Sequence, residues 1–217
     1  MDIFRGEKRG SNMIPVAKQP EPKSFNEKVR LHGQLFLKNN PSPKSTQFPR
    51  YWSEIKGNLY RQYKNICAYT GEWFPEPSVS VDHFLPKSKE PQLAYEWDNY
   101  RLTTKVMNIT KGDNTGIVDP FYVQFGWFIM DFPSCLIKSS GNLNEHDRKK
   151  VDDSINILKL NSDKQTVNRY DIISCYISDD ITFDSFKEKY PYIAYELERQ
   201  GLHETIAERF RPWKQDK

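Results

Sequence analysis

Four polar side chains between positions 82 and 108 are of the types that hydrolyse a phosphodiester with the help of a metal ion. Asp82 and His83 are adjacent, Asn99 follows His83 by sixteen residues, and Asn108 follows Asn99 by nine. An imidazole is a suitable general base near neutral pH. Carboxylate and amide oxygens are ligands that Mg²⁺ and Mn²⁺ accept. Each residue alone is typical of a hydrogen-bonded structural position, but together they form a chemical unit.

Lysines near these four residues are candidates for phosphate contacts. Lys111 follows Asn108 by three residues, and Lys87 and Lys89 follow the Asp-His pair closely. Adjacent residues of a strand point to opposite faces. The Asp-His pair therefore needs a strand end or a kink to converge, which the segment 84–86 (Phe-Leu-Pro) could supply.

Helices and short strands are predicted around this unit. Helical spacing starts at Ser24 and is broken at 41–43 (Pro-Ser-Pro). A second helix follows, because five apolar residues share one face, an arrangement that favours core packing. These residues are Trp52, Ile55, Leu59, Tyr63 and Ile66. The segments 67–69 and 79–84 read as strands joined by a turn at 70–72, and 103–111 reads as a closing helix.

The last hundred residues are predicted to be mostly helical. The apolar stretch 121–130 is expected to be buried, and 142–160 has helical spacing. Ser162 and Gln165 have the spacing of a capping box, which opens the next helix. Two further helices are predicted over 183–189 and 192–210.

Composition indicates a folded chain with a polar surface. Of the 217 residues, 37% are hydrophobic and 14% aromatic, which is too aromatic for a disordered protein. No apolar run approaches the length of a membrane helix. The N-terminus has no apolar signal region, and three widely spaced cysteines argue against a disulfide scaffold. We expect a cytoplasmic, non-membrane protein.

Positive charge is concentrated at the start of the chain. Residues 1–65 carry 13 Lys/Arg and 5 Asp/Glu, a net charge of +8, whereas 66–217 carry 19 and 24, a net charge of −5. A basic leading third is either an electrostatic footprint for nucleic acid or a solvated basic face.

Three ordered segments of the sequence resemble the HNH endonuclease motif. They are 81–88 (Val-Asp-His-Phe-Leu-Pro-Lys-Ser), 98–102 (Asp-Asn-Tyr-Arg-Leu) and 108–114 (Asn-Ile-Thr-Lys-Gly-Asp-Asn). The resemblance covers about fifty residues. It implies a ββα-metal fold, one divalent metal ion (Mg²⁺ or Mn²⁺) and hydrolysis of phosphodiesters. HNH sites mostly cut DNA, but the motif does not distinguish DNA from an RNA such as tRNA.

The same resemblance implies a role for each residue of the motif. His83 would be the general base and Asn99 the central residue that braces the loop and orients it. Asp82 and Asn108 would be the metal ligands. Lys111 would contact phosphate.

The sequence departs from the many HNH proteins that hold a structural zinc with two Cys-x-x-Cys pairs. The corresponding positions here are Cys67, Thr70, Thr104 and Met107, so one of four ligands remains. Structural zinc normally needs four sulfur or nitrogen ligands. The sequence therefore predicts no structural zinc. We expect apolar packing in its place, by Tyr69, Trp73, Val106 and Met107.

A looser resemblance extends over the rest of the chain. The segments 13–16, 25–30 with Gly33, and 157–161 with Arg169 are similar to the PtuB-type HNH proteins of bacterial Septu antiphage defence systems, and some retron systems encode similar proteins. This implies an ABC/SMC-like ATPase partner. In a retron it also implies a reverse transcriptase with its msDNA and non-coding RNA. The sequence has no phosphate-binding P-loop of its own.

The predicted architecture is α+β, with a small ββα-metal core at 66–117 embedded in a mostly α-helical scaffold. A basic arm with helices (1–65) and a mostly helical region (118–217) would pack with this core as one compact unit. The leading functional prediction is a metal-dependent nuclease effector of a bacterial defence complex. Two alternatives stay open: a stand-alone restriction-like HNH nuclease, and a non-catalytic nucleic-acid-binding assembly subunit.

Overall fold

A computed structural model describes residues 16–210 and has a mixed α+β architecture, mostly helical. Part of the predicted N-terminal arm, including 13–15 of the segment 13–16, lies outside the described residues. The described helices are α1 (Leu31–Asn39), α2 (Lys56–Gln62), α3 (Lys105–Lys111), α4 (Glu145–Ile157), α5 (Asp163–Ile177), α6 (Phe183–Lys189), α7 (Pro191–Arg199) and α8 (Ile206–Phe210). The strands are β1 (Val79–His83), β2 (Tyr100–Thr104), β3 (Phe128–Asp131) and β4 (Leu136–Ser139).

The strand β1 pairs with β2, and the helix α3 follows β2 directly. The two strands are antiparallel, with Asp82 opposite Arg101 and His83 opposite Tyr100. Helix α3 packs on both strands. The predicted first strand at 67–69 is therefore wrong. The partner of β1 is instead β2. The last two residues of β2 fall within the segment 103–111 that the sequence predicts to be helical.

The segment 66–73 forms a tight turn beside the β1–β2 pair. Ile66 and Trp73 make an isolated antiparallel bridge, and the Gly71 amide donates to the Cys67 carbonyl. Gly71 has a φ of 65°, a left-handed conformation that glycine adopts without steric cost. The turn therefore spans 67–71, slightly earlier than the predicted 70–72, and the Ala68 amide donates to Leu102 of β2 rather than to β1.

The leading third packs helices against the ββα unit. A π-helical segment (Asn26–Arg30) runs into α1, which ends before the predicted break at 41–43. A 3₁₀ segment (Tyr51–Ile55) leads into α2, and all five residues of the predicted apolar face are buried. Helix α1 lies so close to Tyr95 that a Cβ at Gly33 would be 2.1 Å from the tyrosine Cγ.

The last third differs from the prediction in three places. The stretch 121–130 is not uniformly buried, because Tyr122 is 76% and Phe125 is 50% exposed, and it ends in the unpredicted strand β3. Ser162 is the N-cap residue of α5, but its side chain makes no capping hydrogen bond. The predicted helix 192–210 is divided into α7 and α8 around Gly201, whose φ is 64°.

One hydrophobic cluster runs through the described part of the chain, from Val16 to Phe210. Long-range bonds tie the ββα unit to both flanks: Trp97 donates to the Gln19 carbonyl, and Arg101 pairs with Asp119 at 2.5 Å. The proposed segment boundaries at 65/66 and 117/118 stay predictions. No described helix combines the length and the apolar character that spanning a bilayer requires.

Candidate functional site

A cleft of about 630 Å³ opens where β1 and α3 meet the leading third of the chain. Its lining comes from three stretches: 45–56, 79–87 and 105–113. Asp82, His83 and Asn108 all line it, so the structure brings the predicted base and both predicted metal ligands to one cavity.

The imidazole of His83 is held in a defined orientation at the end of β1. Its Nε2 donates to the carbonyl of Ala94 at 2.9 Å, which leaves Nδ1 as the lone-pair nitrogen. Nδ1 takes no hydrogen bond within the described part of the chain. The edges of Trp52 and Tyr100 contact the ring, with centroids 4.6 and 5.2 Å away. Burial lowers the pKa of His83 to about 4, so the ring is neutral at physiological pH.

The carboxylate of Asp82 is bonded to two buried side chains. Lys111 Nζ lies 3.2 Å from Oδ1 and 3.1 Å from Oδ2, and the Tyr69 hydroxyl donates to Oδ2 at 2.5 Å. Burial raises the pKa of the Asp82 carboxyl, and the Lys111 ammonium opposes that shift. The carboxylate is therefore charge-balanced by a lysine of the same unit.

Asn99 is hydrogen-bonded to the loop that follows β1. Its Oδ1 accepts from the Leu85 amide at 2.8 Å, and its Nδ2 donates to the carbonyls of Leu85 and Leu93. The backbone carbonyl of Asn99 also accepts from the Phe84 amide. These bonds fix the turn after His83 and the segment that carries Ala94, so Asn99 orients His83 through the backbone and not by direct contact.

Asn108 presents an amide oxygen at the cleft. Its Nδ2 donates to Ser80 Oγ at 2.8 Å and to the Val81 carbonyl at 3.2 Å. Among the described residues Oδ1 has no hydrogen-bond partner. The side chain is thus anchored to the backbone just before Asp82 and keeps an oxygen donor for a ligand.

The three predicted phosphate-contacting lysines have different surroundings. Lys111 is fully buried, and its Nζ donates to Asp82 and to the His83 carbonyl, so this arrangement leaves no ammonium for a phosphate. Lys87 lines the cleft, with Nζ 5.9 Å from the ring centroids of Phe48 and Trp52. Lys89 is exposed and is not among the described residues that line the cleft.

The donor set suits a hard divalent cation but is small. A carboxylate and a free amide oxygen, on one cleft, are the oxygen ligands that Mg²⁺ or Mn²⁺ prefers, with water completing the shell. The described residues contain no group of three or more His, Cys, Asp and Glu side chains that could hold a metal. In the described part of the structure, Asn108 Oδ1 is therefore free for such an ion, whereas at Asp82 the ion would have to take the place of the Lys111 ammonium.

Several residues at the site were not singled out in the sequence. The sequence predicts apolar packing for Tyr69 and a core position for Trp52; both are buried, and they also contact Asp82 and His83 respectively. Arg50 and Lys56 line the cleft without any motif that marks them. The sequence signal that was available for these two is the basic excess of the leading third.

The four positions that correspond to a zinc knuckle lie together beside α3. Cys67 Sγ is 3.5 Å from Thr103 Oγ1, and the Thr104 hydroxyl accepts from the Met107 amide. Thr70, Thr104 and Met107 line a second cleft of about 470 Å³, next to the buried carboxyl of Glu72. The expectation of apolar packing is wrong in part. Tyr69 and Met107 are buried, whereas Trp73 is 38% and Val106 is 53% exposed.

No protein-family model matches the chain, and no curated protein matches it significantly.

Proposed function

We propose that this chain is a metal-dependent HNH-type endonuclease that hydrolyses phosphodiester bonds in nucleic acid, with a ββα-metal core at 66–117. One observation carries the proposal. His83 is fixed with Nδ1 as its lone-pair nitrogen, and it lines the same cleft as the carboxylate of Asp82 and the free amide oxygen of Asn108.

His83 would act as the general base. Its Nδ1 takes a proton from the attacking water while Nε2 keeps its own proton on the Ala94 carbonyl, which fixes the tautomer. Trp52 and Tyr100 limit rotation of the ring. Since burial lowers the pKa of His83 to about 4, the ring is unprotonated at physiological pH, although a group with so low a pKa is a weaker base than a free imidazole.

Asp82 and Asn108 would hold the single Mg²⁺ or Mn²⁺ ion. When bound, such an ion stabilises the negative charge that develops on the phosphate and on the leaving oxygen. Tyr69 and Lys111 hold the Asp82 carboxylate in place, and Ser80 holds the Asn108 amide. Asn99 keeps the loop after β1 in position through its hydrogen bonds to Leu85.

The proposed setting is the nuclease subunit of a bacterial antiphage complex of Septu or retron type. It rests on the looser resemblance at 25–30, Gly33, 157–161 and Arg169, and on the missing P-loop. An ABC/SMC-like ATPase would then supply the nucleotide switch, and in a retron a reverse transcriptase would supply msDNA. The described residues of this resemblance have structural roles. Arg169, for example, donates to the Cys135 and Leu160 carbonyls.

Cleavage assays with two variants test the proposal. With Mg²⁺ or Mn²⁺, wild-type protein, alone or with its ATPase, should cut DNA or cellular RNA, and EDTA should stop it. His83→Ala should lower the rate by about 10²–10⁴-fold, and Asn108→Ala should raise the metal concentration needed. His146→Ala, an exposed histidine on α4, is the matched control and should cut normally.

Two results would contradict the proposal. Cleavage by His83→Ala at the wild-type rate would show that the base is assigned wrongly. Binding of nucleic acid without metal-dependent cleavage of any substrate would favour the non-catalytic assembly subunit. Cutting of one specific duplex by the isolated chain would instead favour the restriction-like nuclease.

A further inference from the structure

We propose that Arg50, Lys56 and Lys105 form the phosphate-binding wall of the cleft, and that the leading third of the chain therefore supplies part of the substrate site. The inference rests on the proposed function and deepens it. Neither the motif nor its spacing singles out any of the three. The ligand is a nucleic acid backbone, recognised by its charge.

The placement of the segment 45–56 is the first argument. This stretch lines the cleft together with β1 and α3. Its Trp52 packs edge-on against His83 with ring centroids 4.6 Å apart, so the segment lies directly beside the proposed base. Arg50 and Lys56 flank this contact in sequence, and the hydroxyl residues Ser45 and Ser53 also line the cleft. A polyanion bound in this cleft would therefore lie beside these side chains.

The state of the charges is the second argument. Arg50 and Lys105 are exposed and Lys56 is half-buried, and none of the three forms an ion pair within the described part of the chain. Of the acidic residues of the same cleft, Asp82 is paired with Lys111, whereas Asp113 accepts from the neutral Ser88 hydroxyl at 2.7 Å and keeps its charge. The described lining carries four cations, Arg50, Lys56, Lys87 and Lys105, against this one unpaired carboxylate, so the cleft presents a net positive charge.

Of the three lysines that the motif predicts to contact phosphate, Lys87 lines the same cleft, whereas Lys111 and Lys89 do not. The ammonium of Lys111 is buried and committed to Asp82. Lys89 lies outside the cleft lining. The segment 66–117 itself carries 5 Lys/Arg against 7 Asp/Glu, so an acidic core needs positive charge from a neighbouring element to hold a polyanion.

Salt-dependent binding tests the proposal without requiring cleavage. A fluorescein-labelled single-stranded DNA would be titrated with full-length protein in EDTA, over a range of salt concentrations. Arg50→Ala/Lys56→Ala/Lys105→Ala should weaken binding on the order of tenfold or more. Each phosphate contact contributes roughly 0.7 to the slope of log affinity against log salt, so the slope should fall by about 2.

Two further variants test whether weaker DNA binding comes from the loss of these cleft residues or from the loss of any positive charge on the protein. Lys28→Ala/Lys38→Ala removes two exposed positive charges from the same third of the chain, outside the cleft lining, and should bind like wild type. Arg50→Lys/Lys56→Arg keeps the charges and should retain most of the affinity. Circular dichroism melting would confirm that the alanine variant is folded.

If the triple alanine variant binds with the affinity and salt slope of wild type, Arg50, Lys56 and Lys105 do not bind the phosphate backbone. Equal weakening by the control pair, or no binding by wild type at low salt, would also contradict the proposal. Metal-dependent cleavage measured in parallel keeps the two proposals apart. If wild type cleaves nucleic acid and the alanine variant binds normally, the proposed nuclease activity is retained and the proposed phosphate-binding role of the three residues is rejected.

Discussion

At the residue scale, the candidate site depends on two buried titratable side chains with opposite surroundings. Burial lowers the pKa of His83 to about 4, and no carboxylate lies against the ring to oppose this among the described contacts. Burial raises the pKa of Asp82, but the Lys111 ammonium counteracts it. The neutral imidazole and the carboxyl beside an ammonium, on adjacent residues, follow from which partner each side chain meets.

Removing Lys111 should destabilise the fold strongly. Lys111→Met leaves the buried Asp82 carboxylate without its counterion, and removal of one partner of a buried ion pair typically costs about 3–5 kcal/mol. The measurement is the free energy of unfolding from urea denaturation. Lys89→Met, at an exposed lysine, is the control and should change it by less than about 0.5 kcal/mol.

A second substitution at the partner tests the cause. Asp82→Asn/Lys111→Met removes both charges, so it should lose less stability than Lys111→Met alone. If the double variant is as unstable as the sum of the two single variants, the loss comes from packing and not from an unpaired carboxylate.

Glu72 should make stability fall as pH rises. Burial raises its pKa from 4.5 to about 7. Between these values the unfolded chain releases the proton and the native chain keeps it, so the native state loses on the order of 3 kcal/mol from pH 4 to pH 8. Glu72→Gln stays neutral and can still accept from Asn168.

The comparison of wild type with Glu72→Gln at the two pH values isolates this group, because all other titrating groups are shared. The variant should gain stability relative to wild type between pH 4 and pH 8 in urea denaturation. A difference that does not change with pH would show that Glu72 ionises normally in the native state.

At the element scale, α3 is the helix that carries Asn108 and Lys111 to β1, and its first turn is capped by a side chain. The Thr104 hydroxyl accepts from the Met107 amide at 3.1 Å. Thr104→Ala should therefore cost about 1 kcal/mol of stability, measured by thermal or urea denaturation.

The start of α5 offers a matched control for this cap. Ser162 occupies the N-cap position, but its side chain makes no capping bond. Ser162→Ala should therefore have a clearly smaller effect than Thr104→Ala. Equal losses at both positions would mean that the hydroxyl bond at Thr104 contributes nothing beyond the intrinsic N-cap preference.

At the scale of the whole molecule, one buried cluster contains residues from all three predicted segments. The ββα unit contributes Leu102 and Met107, the leading third Phe25 and Leu59, and the last third Ile173, among others. A small motif of this kind has too little apolar surface to be stable alone.

We therefore expect a single cooperative unfolding transition. Near-ultraviolet and far-ultraviolet circular dichroism should give coincident curves in urea, because the aromatic core and the helices lose their contacts together. Two separated transitions would show that the ββα unit and its helical surroundings unfold independently.

Much of the fold was predictable from local pattern. The helices at 183–189 and around Val151 and Ile155 follow from apolar spacing, and β1 follows from its alternation. The strand β2 alternates apolar and polar residues, but its last two residues fall in the segment 103–111 that the sequence predicts as a helix, and its polar residues Arg101 and Thr103 are buried as well. The division of α7 from α8 depends on a left-handed Gly201, which apolar spacing does not register.

The candidate site, like the fold, was predictable from the sequence only in part. Its residue types and order are properties of the sequence alone: Asp82, His83, Asn99 and Asn108, and a basic excess before residue 66. Only the tertiary structure decided that Lys111 neutralises Asp82, that Ala94 orients His83, and that Arg50 and Lys56 line the cleft. The reason is physical: protonation states and charge pairing depend on burial and on contacts between residues distant in the chain, and local spacing encodes neither.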